Sequence, residues 1–407
     1  MGYTPHVLVV GGGATGTGVA RDLAMRGLDV TLAERGPLAS GATGRMHGLL
    51  HSGARYAVED PESARACIAE NETLRSIADH CIDDTGGLFV QHPEDPPAYF
   101  DRKRQACRDC SIPVEELSGS EARNREPSLS DDVTRALAVP DGAVDPYRLT
   151  VANATSAQRH GADIFTQTAV ANLQTDEHGI TSAALVPKTS AGTSAVLDID
   201  YVVNAAGAWA AEVASLAGIY LSLSPSKGAL VLTDVHSETV INRCRPKSEG
   251  DILVPHGDRA VLGATDVRID HPDEFQKEER EIELLFDELE PVVPALAGAA
   301  AVESFWGVRP LFEPAADDIA DAGDITRGFT IIDHEQRDDC WGISTVVGGK
   351  FTTHRLMAEA VSDHVCEQFG IDRACTTGET PLPGGPDTPP LATFETDAPV
   401  REWADDS

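Results

Sequence analysis

The strongest constraint on this 407-residue chain is a glycine turn set between two strand signals near its start. Val7-Leu8-Val9-Val10 is a short apolar run that ends on Gly11-Gly12-Gly13-Ala14-Thr15-Gly16. Val19, Ala20, Leu23 and Ala24 then recur at helical spacing, Gly27 closes the helix, and Val30-Thr31-Leu32 leads to Glu34. Strand, glycine turn, helix, strand and terminal acid, in that order, make the βαβ unit that binds a dinucleotide. Gly11 allows the tight turn, Gly13 lets the backbone approach a pyrophosphate, and Gly16 lets helix and strand pack closely. At Ala14 and Thr15 the helix start offers free N–H groups and a positive dipole end to that anion. Glu34, followed by Arg35, is placed to accept hydrogen bonds from the adenosine ribose. Its charge repels a 2′-phosphate, so NADP fits poorly. No second GxGxxG follows, which points to one dinucleotide held tightly. The turn alone leaves FAD and NAD undecided.

Composition sets the class. The length favours two domains, and a hydrophobic fraction of 41% suits a globular enzyme. No run of apolar residues is long enough to span a bilayer, and the start lacks a signal-sequence pattern. The expectation is a cytoplasmic protein, with peripheral docking on a membrane partner still open. Sixty-six acids against 32 bases give a net charge of -34. Lysine occurs only at Lys103, Lys188, Lys227, Lys247, Lys277 and Lys350, and the acids are scattered in pairs such as Asp83-Asp84 and Asp131-Asp132. Such a surface repels itself unless salt screens it, so the expectation is an acidic, halophilic protein. The same charge disfavours nucleic acid as a partner. Among eight cysteines only Cys107 and Cys110 are spaced as CxxC, with no second pair. Neither a metal site nor a disulfide framework is expected.

Along the chain, residues 61–81 read as an amphipathic helix, and further helices are predicted near 146–160, 277–289 and up to 369. Strand-like runs fall at 162–166, 180–186, 196–203, 229–232, 252–255, 260–263 and 343–347. This pattern predicts a discontinuous cofactor domain from 1–80, 145–218 and 335–378, with a second domain from 81–144 and 219–334 inserted. Residues 379–407 read as a Pro/Gly/acidic linker or tail.

The loop Ser40–Tyr56 narrows the chemistry. Its small residues, Thr43 and Gly44 among them, let backbone lie against a flat ring, while Arg45, His47, His51, Arg55 and Tyr56 can point at a substrate. Here the sequence resembles the FAD-dependent glycerol-3-phosphate dehydrogenases, within the D-amino-acid-oxidase-like flavoproteins, and is most like the catalytic A subunit of the anaerobic type. The resemblance runs through GGGATGTGVARDLAMRGL (11–28), SGATGRMHGLLHSGARYAVEDPESARACIAEN (40–71), VPDGAVDPYRL (139–149), VVNAAGAWA (202–210), INRCRPKSEGDILVP (241–255), GVRPL (307–311) and GGKFTTHRLMAE (348–359).

The resemblance implies an α/β fold: a Rossmann-like FAD-binding domain with an inserted, mainly antiparallel β substrate domain. It implies oxidation of sn-glycerol 3-phosphate to dihydroxyacetone phosphate by hydride transfer to FAD. Electrons would then pass to a membrane quinone through partner subunits. Arg55 and Arg309 match substrate-contacting positions, and a guanidinium fork suits a phosphate. Tyr56 adds a hydroxyl. His51 is the preferred general base, because imidazole titrates near working pH. An arginine-lined pocket that releases the proton to solvent is the competing reading. Gly348, Gly349, Lys350, Phe351 and Thr352 match the turn beneath the flavin pyrimidine. Ala206 and Gly207 match the second strand-to-helix turn, and Val170 a backbone contact with adenine. Two departures stand out. Lys227-Gly228-Ala229-Leu230 carries leucine where the aerobic relatives carry histidine. The chain also ends at Ser407, so the cysteine-rich, iron–sulfur-type domain of the anaerobic enzyme is expected to be missing from it.

Overall fold

The computed structural model describes residues 3–188, 194–246, 248–312 and 328–384. Among these, strand His6–Val10 is the centre of a six-stranded sheet. It pairs in parallel with Asp29–Ala33 on one side and Tyr201–Asn204 on the other. Asp163–Phe165 extends the sheet beyond Asp29–Ala33, and Ile343–Gly348 beyond Tyr201–Asn204, both in parallel. Central parallel strands are covered on both faces, which is why VLVV and ISTVVG read as apolar runs without alternation. Helices Ala14–Met25 and His354–Gln368 pack on one face, joining Val19 and Leu23 to Val361 and Val365 in one buried cluster. Burying a side chain such as Leu23 contributes about 1.5–3 kcal/mol. A Cβ on Gly18 would lie 3.1 Å from the Ala358 methyl, so the two helices touch nearly backbone to backbone.

The second large sheet has the order Val267–Arg268, Ser226–Thr233, Arg259–Gly263, Ile252–His256, Val240–Arg243, Gly87–Gln91, Arg135–Val139, Glu115–Ser118, and Ala301–Arg309 also pairs with Ser226–Thr233. All its pairings are antiparallel except that between Val240–Arg243 and Gly87–Gln91. One face is covered by helix Glu279–Leu289, whose Leu285 and Leu289 join Val231, Leu253 and Leu262. Alternation puts Gly228, Gly307 and Arg309 on the opposite face.

Four expectations change. The amphipathic helix Pro61–Ile77, capped by Asp60, stops before residue 81. Leu382 N–H donates to the Ile77 carbonyl at 2.7 Å, and the chain turns into a short 3-10 segment, Asp79–Cys81. Strand Phe329–Asp333 falls in the stretch expected for the inserted domain, yet it pairs antiparallel with Ile343–Gly348 on the cofactor sheet. Residues 379–384 are not a free linker. Leu382 is buried and the Thr380 carbonyl accepts from Arg21 at 2.6 Å; the rest of the expected tail lies outside the described residues. Lastly, the long strands Thr168–Asp176 and Ala301–Arg309 carry no strand signal in the sequence. The first is polar and largely exposed, and the second carries Glu303 and Gly307, so neither has a clean two-residue period.

Candidate active site

The glycine turn has the geometry its spacing predicts. Gly11 has φ +116°, and a Cβ there would stand 2.5 Å from the Ala205 carbonyl oxygen. A Cβ on Gly16 would stand 1.9 Å from the Gly11 oxygen. No larger residue fits either place. Gly13 meets only the Thr43 hydroxyl, at 3.1 Å, and that hydroxyl accepts from the Ala14 N–H at 3.1 Å. Thr15 Oγ1 points to the Met357 sulfur, 4.0 Å away. The Glu34 carboxylate accepts the N–H groups of Gly12 (2.6 Å) and Gly36 (2.7 Å), so it stands at the mouth of the turn. Arg35 lies over the Trp209 ring at 4.5 Å, between Glu212 and Asp273. The Glu34 carbonyl accepts from Thr168 N–H, which brings the strand bearing Val170 to the same end. Ala206 and Gly207 follow the strand end that touches Gly11. Gly207 has φ +57°, and a Cβ there would meet nothing within 4 Å, so this turn faces open space.

The loop after Ser40 closes over the other end. Tyr147 donates its hydroxyl to the Gly44 carbonyl at 2.6 Å, joining the motif at 139–149 to the loop. Arg45 donates to the Ser40 carbonyl. A Cβ on Gly307 would lie 2.3 Å from the Arg45 oxygen, so strand Ala301–Arg309 packs directly on the loop backbone. The His51 N–H donates to Thr352 Oγ1 at 3.0 Å, and its ring lies 5.2 Å from Tyr56 and 6.2 Å from His47. Gly348 and Gly349 have φ +79° and +74°, and Gly348 N–H donates to the Pro310 carbonyl. Phe351 stacks on His354 at 5.5 Å. Lys350 donates to Ser63 Oγ at 2.9 Å and sits 4.5 Å above the Tyr56 ring. Three segments far apart in sequence, 40–56, 307–311 and 348–352, therefore meet in one place.

Two guanidinium groups give this place its charge. Arg55 donates to the Asp251 carboxylate at 2.6 Å and to the Ser248 carbonyl at 3.2 Å. Arg309 donates to the Thr265 carbonyl at 2.9 Å, and Asp266 and Ser226 lie 3.5 and 3.4 Å from it. The Thr265-Asp266 segment thus holds the arginine. Burial, with Arg55, Arg309 and His256 nearby, pushes the His47 imidazole down to about 3. Burial likewise takes His256 down to about 4, and its Nε2–H donates to the His47 carbonyl at 2.9 Å. Burial raises the Tyr56 phenol, against the pull of the same two arginines. At neutral pH both histidines and the phenol are therefore uncharged, and the cations facing the pocket are arginine and lysine. Each arginine is paired with a carboxylate, Asp251 or Asp266, and a guanidinium fork so held suits an anionic group.

His256 and Asp251 belong to this site, and sequence reasoning misses both. Each lies some 200 residues from the loop it supports; Asp251 falls within the motif at 241–255, but only the fold shows that it holds Arg55. The CxxC thiols do not contribute. Cys107 and Cys110 are buried in an apolar cluster with Phe89 and Phe100, and burial raises both, Cys107 to about 11.

The cradle around Gly11, Gly13 and Gly16, which any Cβ would fill or crowd, fits an adenine dinucleotide, with Glu34 at its ribose end. Comparison with known proteins agrees. Residues 6–364 match the family described as FAD dependent oxidoreductase. The chain is 50% identical to the A1 subunit of the anaerobic glycerol-3-phosphate dehydrogenase of Haloferax volcanii, over 98% of this chain and 70% of that protein. It is 43% identical to the A subunit of the anaerobic glycerol-3-phosphate dehydrogenase of Escherichia coli K12, over 93% and 70%. Among solved structures, the glycerol-3-phosphate dehydrogenase of Bacillus halodurans complexed with FAD superposes with a TM-score of 0.69 at 21% identity, covering 95% of this chain and 69% of that one. The glycine cradle, the sheet order and these matches agree: the chain belongs to the FAD-dependent oxidoreductase family and binds FAD as its cofactor.

Proposed function

We propose that this protein oxidises sn-glycerol 3-phosphate to dihydroxyacetone phosphate. The observation that carries the reading is the convergence of Arg55 and Arg309 on the place where His47 and His256 are held neutral, at the far end of the FAD cradle. The relatives named above, at 50% and 43% identity, act on this substrate by name.

FAD would be held by Gly11, Gly13, Ala14, Thr15 and Gly16 at the pyrophosphate, by Glu34, Arg35 and Val170 at the adenosine, and by Thr43, Gly44, Arg45, Ala206 and Gly207 along its length. Gly348, Gly349, Lys350, Phe351 and Thr352 would meet its ring end. When bound, FAD supplies the two-electron acceptor for the alcohol carbon. Arg55 and Arg309 grip the substrate phosphate, and a guanidinium fork makes that grip directional. Tyr56 donates its hydroxyl to the substrate. An imidazole nitrogen of His51 takes the proton of the C2 hydroxyl. Lys350 and the helix start behind it hold positive potential where negative charge collects. The two relatives are parts of larger enzymes by name, so partner proteins that carry electrons onward to a membrane quinone complete the reading, with this chain peripheral to the membrane. Among the described residues no helix is long and apolar enough to cross a membrane.

The test is turnover with a dye as electron acceptor. The reading expects oxidation of sn-glycerol 3-phosphate and none of glycerol, glycine or a 2-hydroxy acid. Equal rates with an amino acid or 2-hydroxy acid would overturn it.

A further inference from the structure

Lys103 is one of only six lysines in the chain, and it is buried. It stands on helix Pro97–Asp109, outside every segment assigned to the site. Its Nζ donates to the Ala54 carbonyl at 2.8 Å and to the Arg55 carbonyl at 3.3 Å. The Phe89 and Tyr99 rings lie 4.7 and 5.3 Å from it. Among the described residues no carboxylate lies within 4.0 Å of this ammonium. A buried ammonium without a carboxylate is costly, and here backbone carbonyls and ring faces take the place of the ion pair.

The carbonyls it holds are those of the residue that reaches for phosphate and the residue before it. The chain turns sharply there. Gly53 has φ +91°, and a Cβ on it would lie 2.2 Å from the Ala64 carbonyl oxygen. On the other side of the turn, Ser52 N–H donates to the buried carboxylate of Asp141 at 2.7 Å. Asp141 thus fixes the entry to the turn and Lys103 its exit, while Asp251 fixes the guanidinium at the end of the side chain.

We propose that Lys103 is a positioning residue that presents Arg55 to the substrate phosphate and adds positive potential behind it. The proposal rests on the reading of Arg55 as a phosphate ligand. The charged and titratable groups facing Lys103 are Cys107 on its own helix, Cys244 beyond strand Val240–Arg243, Asp141, and Glu59 and Arg55 of the loop, with Glu59 bonded to the Tyr99 hydroxyl. Burial outweighs the thiols and Glu59 and lowers the ammonium's affinity for its proton. The protein should therefore lose substrate affinity at alkaline pH, below the ordinary lysine range of about 10.4.

The test compares wild type, K103M and K103R, each flavin-replete, with sn-glycerol 3-phosphate across pH. The expected result is a KM about tenfold or more higher in K103M, with kcat changed about threefold or less, because ground-state grip and not the chemical step is lost. In wild type, KM rises with pH on the alkaline side; K103R, which keeps its proton, holds KM near the neutral value and loses that limb. An unchanged KM in flavin-replete K103M overturns the proposal. Should K103M fail to retain flavin, a wild-type KM that stays flat to about pH 10 overturns it instead. Wild-type protein that does not turn over sn-glycerol 3-phosphate at all removes the substrate reading itself, a different outcome from an active wild type matched by K103M.

Discussion

At the residue scale, the site depends on Arg55, whose second partner is the buried Asp251, and on Arg309, whose acid Asp266 is exposed. Asp251 is 1% exposed in its side chain, so truncating Arg55 leaves a buried carboxylate without its cation. Breaking such a pair costs about 3–5 kcal/mol. Arg55→Lys is the cleaner probe: it keeps the charge and removes the fork. It should lower kcat/KM about 30- to 100-fold, the loss of one to two charge-assisted hydrogen bonds, measured as initial rates with sn-glycerol 3-phosphate. His51→Ala tests the proton step. A general base contributes about 10²–10⁴ in rate, so kcat should fall by that factor while flavin content holds. Near-normal kcat across pH would instead assign the proton to solvent beside the arginines. The loop residues His51, Arg55 and Tyr56 are visible in the sequence because they are crowded into one glycine-rich stretch. Asp251 and His256 are invisible there, because what makes them part of the site is a sheet register that brings strand Ile252–His256 under the loop.

At the element scale, two glycines mark the pyrophosphate turn and the strand that carries Arg309. A Cβ on Gly16 would overlap the Gly11 carbonyl oxygen at 1.9 Å, so Gly16→Ala should abolish FAD retention, read from the absorbance of purified protein. A Cβ on Gly307 would press at 2.3 Å on the Arg45 oxygen, in the loop proposed to meet FAD along its length. Gly307→Ala should lower kcat/KM, because it shifts the strand that ends in Arg309, and should weaken FAD retention less than Gly16→Ala, because it leaves the pyrophosphate turn itself untouched. The βαβ unit is legible from sequence because turn chemistry, helical period and strand runs agree there. Strand Thr168–Asp176 is not. It is an edge strand of a small three-stranded sheet, largely exposed, and Asn172, Gln174 and Asp176 carry no apolar period. Strand Phe329–Asp333 joins a different sheet from the one its place in the chain suggests, because its antiparallel pairing with Ile343–Gly348 depends on tertiary contact and not on local pattern.

At the scale of the whole molecule, charge governs stability. With a net charge of -34, self-repulsion within about 10 Å is screened only as salt approaches and passes about 0.1 M. The melting temperature should rise with KCl well beyond that concentration; greatest stability at low salt would contradict the halophilic reading. Acid acts through histidines as well, His354 buried and His47 and His256 half-buried. His47, His256 and His354 are held down to about 3, about 4 and about 4, chiefly by burial. In the unfolded chain each takes a proton below about pH 6.5, and in the folded chain only below about pH 4. Their contribution to stability is thus intact above about pH 6.5 and is lost as pH falls from there to about 4, at roughly 3 kcal/mol each. Denaturant unfolding in concentrated KCl between pH 7 and pH 4 checks this slope.

All three scales meet in one claim, that the arginine pocket delivers a phosphorylated alcohol to bound FAD. The direct measurement is the flavin absorbance of FAD-replete protein, held anaerobic and mixed with sn-glycerol 3-phosphate. The account predicts bleaching at stoichiometric substrate, with none on adding glycerol, which lacks the phosphate that Arg55 and Arg309 hold. A flavin that stays oxidised in excess sn-glycerol 3-phosphate would contradict it.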